Sequence, residues 1–368
     1  MNPANTPSNP ASVATATIAN LPAATLVPSI NEAALGAICT ALSATWSPSE
    51  YGPQLTSLAG QELLSSWTNR FFAPITELGV LTVQGVDAQV FLQGQLTNDT
   101  ATLAIGQTML AGYCTAKGRL LATMRVLRDA DQSFTLLVSR PLAAALRKRL
   151  AMYVMRAKCV VTDCSDQRLV LGFLSDSNDL KTACEAADAV IFSAAQMPVV
   201  DTITTSSKTR FYAIIPIEQF NPLTAALGEH CAVRSSALWR WIDCVAAQPH
   251  ITALTSELFV PQMVNLELVD GVSFKKGCYP GQEVVARSHY LGKSKRRMFL
   301  GHSDQSPAPG SDVSAQGVNE AVGIVVMAAP HPTGGFDVLF ESQIEAALNA
   351  QLLAGTTALK RIDLPYAL

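Results

Sequence analysis

Residues 274–287 read FKKGCYPGQEVVAR, the most chemically loaded segment of the chain. Two glycines and a proline within five residues predict a tight loop, and good helix formers from Gln282 onward predict that a helix begins there. Cys278 should then lie just before a helix N-terminus, where backbone amides and the neighbouring Lys275 and Lys276 favour a thiolate. The sequence therefore offers Cys278 as a nucleophile or soft-metal ligand, with a small buried apolar residue as the alternative.

Cys278 has no recognisable catalytic partner in the sequence. None of the five histidines forms a motif with it, and we expect the nearest one, His289, to lie beyond the helix without a role as a base. Cys159 and Cys164 have no second pair and no C-x-x-C occurs, so a complete zinc or cluster site cannot be drawn within one chain. We expect no stably bound metal, with Cys278 at most a transient cluster ligand.

Positive charge is concentrated around the same segment. Seven basic residues and one acid lie between residues 275 and 297, in a chain whose formal net charge is -3. Such a basic island indicates a docking site for an anion, such as a polyglutamate tail, RNA phosphate or an acidic protein face. The alternative is a solvated connection between a helix and a strand. Support for RNA is weak because no aromatic residues are interleaved with the charges. The seven are Lys275, Lys276, Arg287, Lys293, Lys295, Arg296 and Arg297.

Composition restricts the class of protein further. The 368 residues are 49% apolar and 15% charged, which predicts large cores in two or three packed units. No run of about 18 residues is free of polar groups, so we expect no membrane contact. Neither a dinucleotide-binding nor a P-loop glycine motif is present. Eight scattered cysteines and the lack of Lys or Arg before Arg70 favour a cytoplasmic protein.

The chain divides into an extension and three domains. Residues 1–69 contain few charges and many prolines, which predicts a largely disordered extension, although Asn31–Leu42 and Ser57–Trp67 have helical patterns. The domains are an N-terminal α+β domain over 70–173, a middle α+β domain over 174–294 that ends in the Cys278 loop and helix, and a C-terminal β-barrel over 295–368. Within the first domain, three β-rich runs predict an antiparallel meander: Met109–Tyr113, Leu120–Leu127 and Phe134–Val138.

Together with four other segments, the Lys275–Arg287 run closely resembles the signature of the YgfZ family, folate-binding proteins of iron–sulfur cluster assembly and tRNA modification. That family resembles the aminomethyltransferases, the T-proteins of glycine cleavage. The resemblance implies an α+β fold in which three domains form a ring around a folate channel, with antiparallel sheets and a small C-terminal barrel. The other segments are residues 85–99, Cys114–Arg119, Pro261–Leu266 and Leu364–Tyr366.

The resemblance also implies roles for individual residues. Lys276 would lie near the folate, with Lys275 and Arg287 contributing to its binding, and Trp239 would stack on the flat pterin. Asp99 matches the position where T-proteins direct an acid toward the folate ring.

One position departs from the family pattern. Leu78 stands where a second family tryptophan is expected, which removes half of an aromatic clamp on the ligand.

Three functions remain open. The first is an accessory factor that binds tetrahydrofolate or a derivative and uses the Cys278 thiol in assembling or repairing iron–sulfur clusters on client or scaffold proteins, including tRNA-modifying enzymes. The second is a folate-dependent aminomethyl or methyl transferase with Asp99 as its main catalytic group, although the sequence assigns no turnover. The third is a tRNA-binding module that makes weak contacts through residues 275–297 and loses affinity steeply with salt.

Overall fold

A computed structural model describes residues 32–58, 70–175, 179–193, 209–228, 231–290, 292, 294–318 and 320–368. The helices in these ranges are α1 (Glu32–Leu42), α2 (Ala88–Gln93), α3 (Arg140–Val154), α4 (Asp179–Ala186), α5 (Phe220–Leu227), α6 (Ser236–Val245), α7 (Gln282–Tyr290) and α8 (Ile344–Asn349). No helix of the described part of the chain is long and apolar enough to cross a membrane.

The strands fall into four groups. A two-stranded sheet pairs β1 (Ala44–Ser49) with β2 (Gly52–Leu58). The other strands are β3 (Phe71–Pro74), β4 (Leu78–Gln84), β5 (Thr108–Cys114), β6 (Leu120–Ala130), β7 (Ser133–Ser139), β8 (Val160–Asp163), β9 (Arg168–Ser175), β10 (Val190–Ser193), β11 (Thr209–Pro216), β12 (Ala232–Val233), β13 (Arg296–Ser303), β14 (Asp312–Ala315), β15 (Ala321–Pro330), β16 (Phe336–Gln343), β17 (Leu352–Ala354) and β18 (Thr357–Ile362).

The first large sheet is antiparallel in the order β5-β6-β7-β4-β8. Its β5-β6-β7 part is the meander that the sequence predicts. Helix α3 packs against β4 and β8, because Leu142, Leu146 and Leu150 repeat at helical spacing and are all buried.

The second sheet has the order β10-β11-β9-β3-β12 and corrects one expected domain boundary. Strand β9 hydrogen-bonds to β11 on one side and to β3 on the other, so a boundary after residue 173 would cut through this sheet. Stacking of the Phe173 ring on Phe211, with centroids 4.8 Å apart, and on Phe72, at 5.8 Å, fills the core beside it. The sheet therefore combines strands from both sides of that boundary.

The C-terminal strands form a closed barrel in the order β13-β16-β15-β14-β17-β18. Closure joins β13 to β18, so the barrel has no free strand edge. Mixed helices and antiparallel sheets with a small C-terminal barrel confirm the predicted α+β fold class.

Residues 32–58 are not the loose extension that their composition suggests. Tyr51 and Leu55 are buried, and the Tyr51 hydroxyl donates to the Ala328 carbonyl of the barrel at 3.0 Å. Burial against other parts of the fold thus orders a segment whose composition predicts disorder. Helix α1 confirms the helical pattern there, whereas Ser57–Trp67 begins in β2 and otherwise lies outside the described residues.

A buried ion pair fixes α6 against both the barrel and the residue that precedes β4. The Arg240 guanidinium donates to the Glu77 carboxylate and, at 3.2 Å, to the Ala328 carbonyl. It also lies 3.9 Å from the centre of the Tyr51 ring. Because both charged groups are buried away from water, each offsets the lost hydration of the other. This contact sets the position of α6 and of the residues that follow its C-terminal end.

Candidate functional site

A cavity of about 730 Å³ lies where several parts of the chain meet. One wall comes from the first sheet, with Met109 and Arg125, and another from Gln248 just after α6. The loop over 268–275, the end of α7 and Tyr366 near the C-terminus complete it. The volume lies within the range of about 300–1,000 Å³ typical of small-molecule sites.

Three of the aromatic rings that line this cavity lie together and are called here the cavity aromatics: Phe274, His289 and Tyr290. The Phe274 and His289 rings stack with centroids 3.7 Å apart and planes 13° apart, and Tyr290 meets His289 edge-on at 4.9 Å. Helix α7 brings His289 and Tyr290 back over Phe274. The expectation that His289 lies beyond the helix is wrong, because it lies in the last turn of α7. The flanking of the Cys278 loop by aromatic residues at both ends is a usable signal for this cluster.

Gly281 locks the Cys278 loop against the turn over Cys114–Arg119. Its φ of +81° favours glycine, and a Cβ there would lie 2.4 Å from the Thr115 carbonyl oxygen. Cys278 precedes α7, as predicted, and is the exposed one of the eight thiols. Burial raises the pKa of the Cys114 thiol, by contrast, to about 12. Cys278 lines neither of the cavities described here.

The two adjacent lysines of the loop have different surroundings. Lys276 is buried, and its ammonium donates to the carbonyl oxygens of Gln93 and Leu96 at the end of α2. Burial lowers the pKa of Lys276 to about 8, against the opposing influence of the Asp99 charge. Lys275 is exposed and lines the cavity. Of the two lysines, Lys275 therefore lines the cavity, whereas Lys276 ties the loop to the end of α2.

Asp99 also has a local structural role. Its Oδ1 accepts hydrogen bonds from the Gln93 amide at 2.9 Å and from the Ala101 backbone N–H at 3.1 Å, capping a short 3-10 helix. The residue beside it, Asn98, lines the cavity instead, and its amide donates to the Leu110 carbonyl at 2.8 Å. Asp99 therefore does not line the cavity, and its side chain serves the turn that follows α2.

Trp239 belongs to a buried aromatic cluster with Tyr212 and Arg210. Its side chain is 1% exposed, and its indole N–H donates to the Tyr212 hydroxyl at 3.0 Å. The Arg210 guanidinium lies 4.3 Å from the ring centre, and a Cβ on Gly172 would lie 2.5 Å from the ring. These contacts correct the expectation that Trp239 stacks on a ligand, because no open ring face remains.

A second cavity of about 50 Å³, called here the inner chamber, adjoins the first. Both are lined by Leu110, Arg125 and Gln248, so these three residues form the wall between them. Leu78 and His250 also line the inner chamber, and burial lowers the pKa of His250. The departure of Leu78 from the family pattern therefore falls at a small cavity.

The basic island provides fewer surface charges than its composition suggests. Besides the buried Lys276, Arg296 pairs with Glu341 and Arg297 with Glu267. Arg287 is exposed on α7 and does not line the cavity, and Lys293 lies outside the described residues. Nor do the described ranges hold a group of three or more His, Cys, Asp or Glu side chains suited to a metal ion.

Comparison with known proteins agrees with this architecture. Residues 31–175 match the GCVT N-terminal domain family. The whole chain is similar to the glycine cleavage system aminomethyltransferase T from Bartonella henselae, with 16% sequence identity and a TM-score of 0.64. That match covers 91% of this chain and 97% of the other. The protein therefore has an aminomethyltransferase-like fold, and the family match includes the segment from α1 to β2.

Two further structural matches are partial. A heterotetrameric sarcosine oxidase from Corynebacterium sp. U-96 matches with 14% identity and a TM-score of 0.27, over 44% of this chain and 86% of the other. The regulatory subunit of aspartate kinase from Thermus thermophilus also has 14% identity, with a TM-score of 0.24, over 43% of this chain and 95% of the other. Both TM-scores are too low to indicate a shared overall fold.

Proposed function

We propose that the cavity binds a folate, namely tetrahydrofolate or a derivative of it. The observation that carries this proposal is the stacked pair of Phe274 and His289 on the cavity wall, because such a platform suits a flat conjugated ring. Lys275 adds an exposed positive charge for the carboxylates of a folate tail. The aminomethyltransferase-like fold supports the same ligand class.

Calorimetric titration with tetrahydrofolate tests the binding. We expect saturable binding by the wild type, weakened about 10-fold by Phe274→Ala through lost ring contacts. Lys275→Ala should weaken it less, because an exposed charge pair contributes little. Lys148→Ala is the matched control, since Lys148 is an exposed lysine of α3 away from the cavity. Absence of binding at millimolar tetrahydrofolate would contradict the proposal.

The finer part of the proposal is an accessory role in iron–sulfur cluster assembly or repair, with Cys278 as the functional thiol. Its support is the YgfZ-like motif together with the exposure of this thiol on a loop held by Gly281 and Lys276. Any cluster held by Cys278 would take further ligands from a client or scaffold protein, because the described residues hold no group of three or more His, Cys, Asp or Glu side chains. Clients would include tRNA-modifying enzymes.

Replacement of the thiol tests this role in cells of a strain lacking the native gene. Cys278→Ser should leave the folate affinity unchanged while cluster content falls in the dependent enzymes. Cys39→Ser is the control, because Cys39 is a half-buried thiol of α1. Normal cluster content with Cys278→Ser would rule out the thiol, whatever the result of the folate titration.

A folate-dependent aminomethyl or methyl transferase is the second candidate, favoured by the similarity to aminomethyltransferase T. It requires Asp99, which here caps a 3-10 helix through its Oδ1. Turnover of a one-carbon donor by the wild type, lost in Asp99→Asn, would favour this candidate. A tRNA-binding role is the least supported, because internal ion pairs engage Arg296 and Arg297 of the basic island.

A further inference from the structure

Arg125 is a half-buried cation on the wall shared by the cavity and the inner chamber. It projects from β6, and its Nη2 donates to the Gln248 side-chain oxygen at 2.9 Å. Its guanidinium lies 5.6 Å from the centre of the Tyr212 ring. The acid that shares the inner chamber with it, Asp243, is paired with Arg210 at 2.7 Å.

This arrangement leaves Arg125 with donors to offer. A guanidinium has five N–H groups in a rigid planar fork, and one of them is engaged by Gln248. Within the described ranges, no carboxylate forms an ion pair with Arg125. A partly desolvated guanidinium of this kind can donate charge-assisted hydrogen bonds to a carbonyl or a carboxylate oxygen.

We propose that Arg125, oriented by Gln248, selects the ligand by donating hydrogen bonds to one of its acceptor oxygens. This oxygen lies on the end of the ligand that faces the inner chamber. The inference rests on the proposed function and adds the chemical group that is recognised. In a folate, such an oxygen has two sources, namely the 4-oxo group of the pterin ring and the carboxylates of the glutamate tail.

The positions of the two cavity cations favour the 4-oxo group. Lys275 is exposed, so the fully charged carboxylates can reach it while they keep most of their hydration. Arg125 lies beside the inner chamber and the apolar side chain of Leu110, where burying a neutral ring costs less than burying a carboxylate. The amide of Gln248 adds hydrogen-bonding capacity on the same wall.

A matched pair of ligands tests the inference. Tetrahydrofolate and the tetrahydro form of its 4-amino analogue differ at the substituent that Arg125 would contact, since an amino group replaces the acceptor oxygen. We expect the wild type to prefer tetrahydrofolate by about 10- to 100-fold, as for a hydrogen bond to a charged group. Arg125→Lys keeps the charge without the planar fork and should lose most of this preference. Lys275→Ala should weaken the binding of both ligands by the same factor.

Each contrary result has a distinct meaning. Equal affinity of the wild type for the two ligands would overturn the inference without the need for any variant, while the proposed folate site would stand. A preference that survives in a folded Arg125→Lys variant would also overturn it.

A third ligand separates the two oxygen sources. If tetrahydropteroate, which lacks the glutamate, binds wild type and Arg125→Lys equally while tetrahydrofolate does not, Arg125 binds the tail and the inference fails. Binding of none of these ligands would remove the proposed function and the inference with it.

Discussion

The buried aromatic cluster and the cavity aromatics contain similar side chains but differ in their exposure. Each combines aromatic rings with a basic residue close by, Arg210 beside Trp239 in one and Lys275 beside Phe274 in the other. In the buried cluster, the indole N–H of Trp239 is hydrogen-bonded and its ring is covered on both sides. Among the cavity aromatics, by contrast, the Tyr290 side chain is 66% exposed.

The difference teaches where binding capacity resides in this fold. A ring whose faces and polar atoms are already engaged stabilises the protein, and a ligand would have to displace those contacts. A ring left open on a cavity wall contributes little to folding and offers its surface to a ligand. The two regions should therefore respond in opposite ways to loss of a ring.

Trp239→Ala should have the largest effect. Removing a fully buried indole leaves a cavity in the core, which costs about 3–5 kcal/mol of the free energy of unfolding. Urea denaturation at pH 7 measures this loss. The folate affinity of the fraction that remains folded should not change, because Trp239 does not line the cavity.

Trp239→Phe provides the control for Trp239→Ala, since it keeps most of the ring and removes the hydrogen bond to Tyr212. It should cost less than the alanine variant. If either variant loses folate binding while its unfolding free energy is near wild type, Trp239 contacts the ligand and the contrast between the two regions is wrong.

Gly172→Ala tests the tight packing of the buried cluster from the opposite direction. The added methyl group would lie 2.5 Å from the Trp239 ring, so the indole or β9 must shift. Overpacking of this kind costs about 1–3 kcal/mol, to be measured by thermal and urea unfolding. Gly317→Ala controls for glycine replacement, since a Cβ there meets open space, although its φ of +82° adds strain. A Gly172→Ala protein as stable as wild type would show that the cluster can relax.

Regular patterns made much of the fold predictable. The β5-β6-β7 meander, helix α3 and the individual strands of the barrel follow from local signals, namely turn residues and apolar spacing. The position of Cys278 before α7 follows in the same way from Gly281 and the helix formers after it. These features depend on residues that are close in sequence.

Predictions failed where distant contacts decide the outcome. Nothing local distinguishes Lys275 from Lys276, and only the carbonyls at the end of α2 determine which of them is buried. Residues 32–58 likewise gain their order through Tyr51 and Ala328, far apart in the chain. His289 forms no motif with Cys278 in the sequence, whereas the fold brings its ring from the last turn of α7 onto Phe274.

The stability of the Cys278 loop should depend on pH through Lys276. Its pKa is lowered by burial to about 8, whereas in the unfolded chain it returns to its ordinary value of 10.5. Between these values the unfolded state binds more protons than the folded state, so the free energy of unfolding rises with pH. Below pH 8 both states are protonated, and the full cost of burying the charge is present.

Lys276→Met isolates this contribution, because it removes the titrating group. Urea denaturation of both proteins at intervals from pH 7 to 10 should show wild type gaining stability relative to the variant above pH 8. Lys275→Met is the matched control for loss of a lysine from the same loop, at an exposed position. A constant difference between wild type and Lys276→Met across this range would mean that Lys276 does not titrate there.

Tyr290→Ala should have the smallest effect on stability and so gives the sharpest contrast with Trp239. Loss of a side chain that is mostly exposed should change the unfolding free energy by no more than about 0.5 kcal/mol. The same change removes one ring from the cavity wall and should weaken the binding of tetrahydrofolate by about 0.5–1.5 kcal/mol, the value of one aromatic pair.

Tyr153→Ala is the control, at an exposed tyrosine of α3, and should alter neither the stability nor the affinity. Ligand binding raises the unfolding temperature through affinity for the folded state. Thermal unfolding with and without tetrahydrofolate therefore measures both the stability and the affinity in one experiment. An unchanged ligand-induced shift in Tyr290→Ala would place the ligand away from this ring and limit the platform to Phe274 and His289.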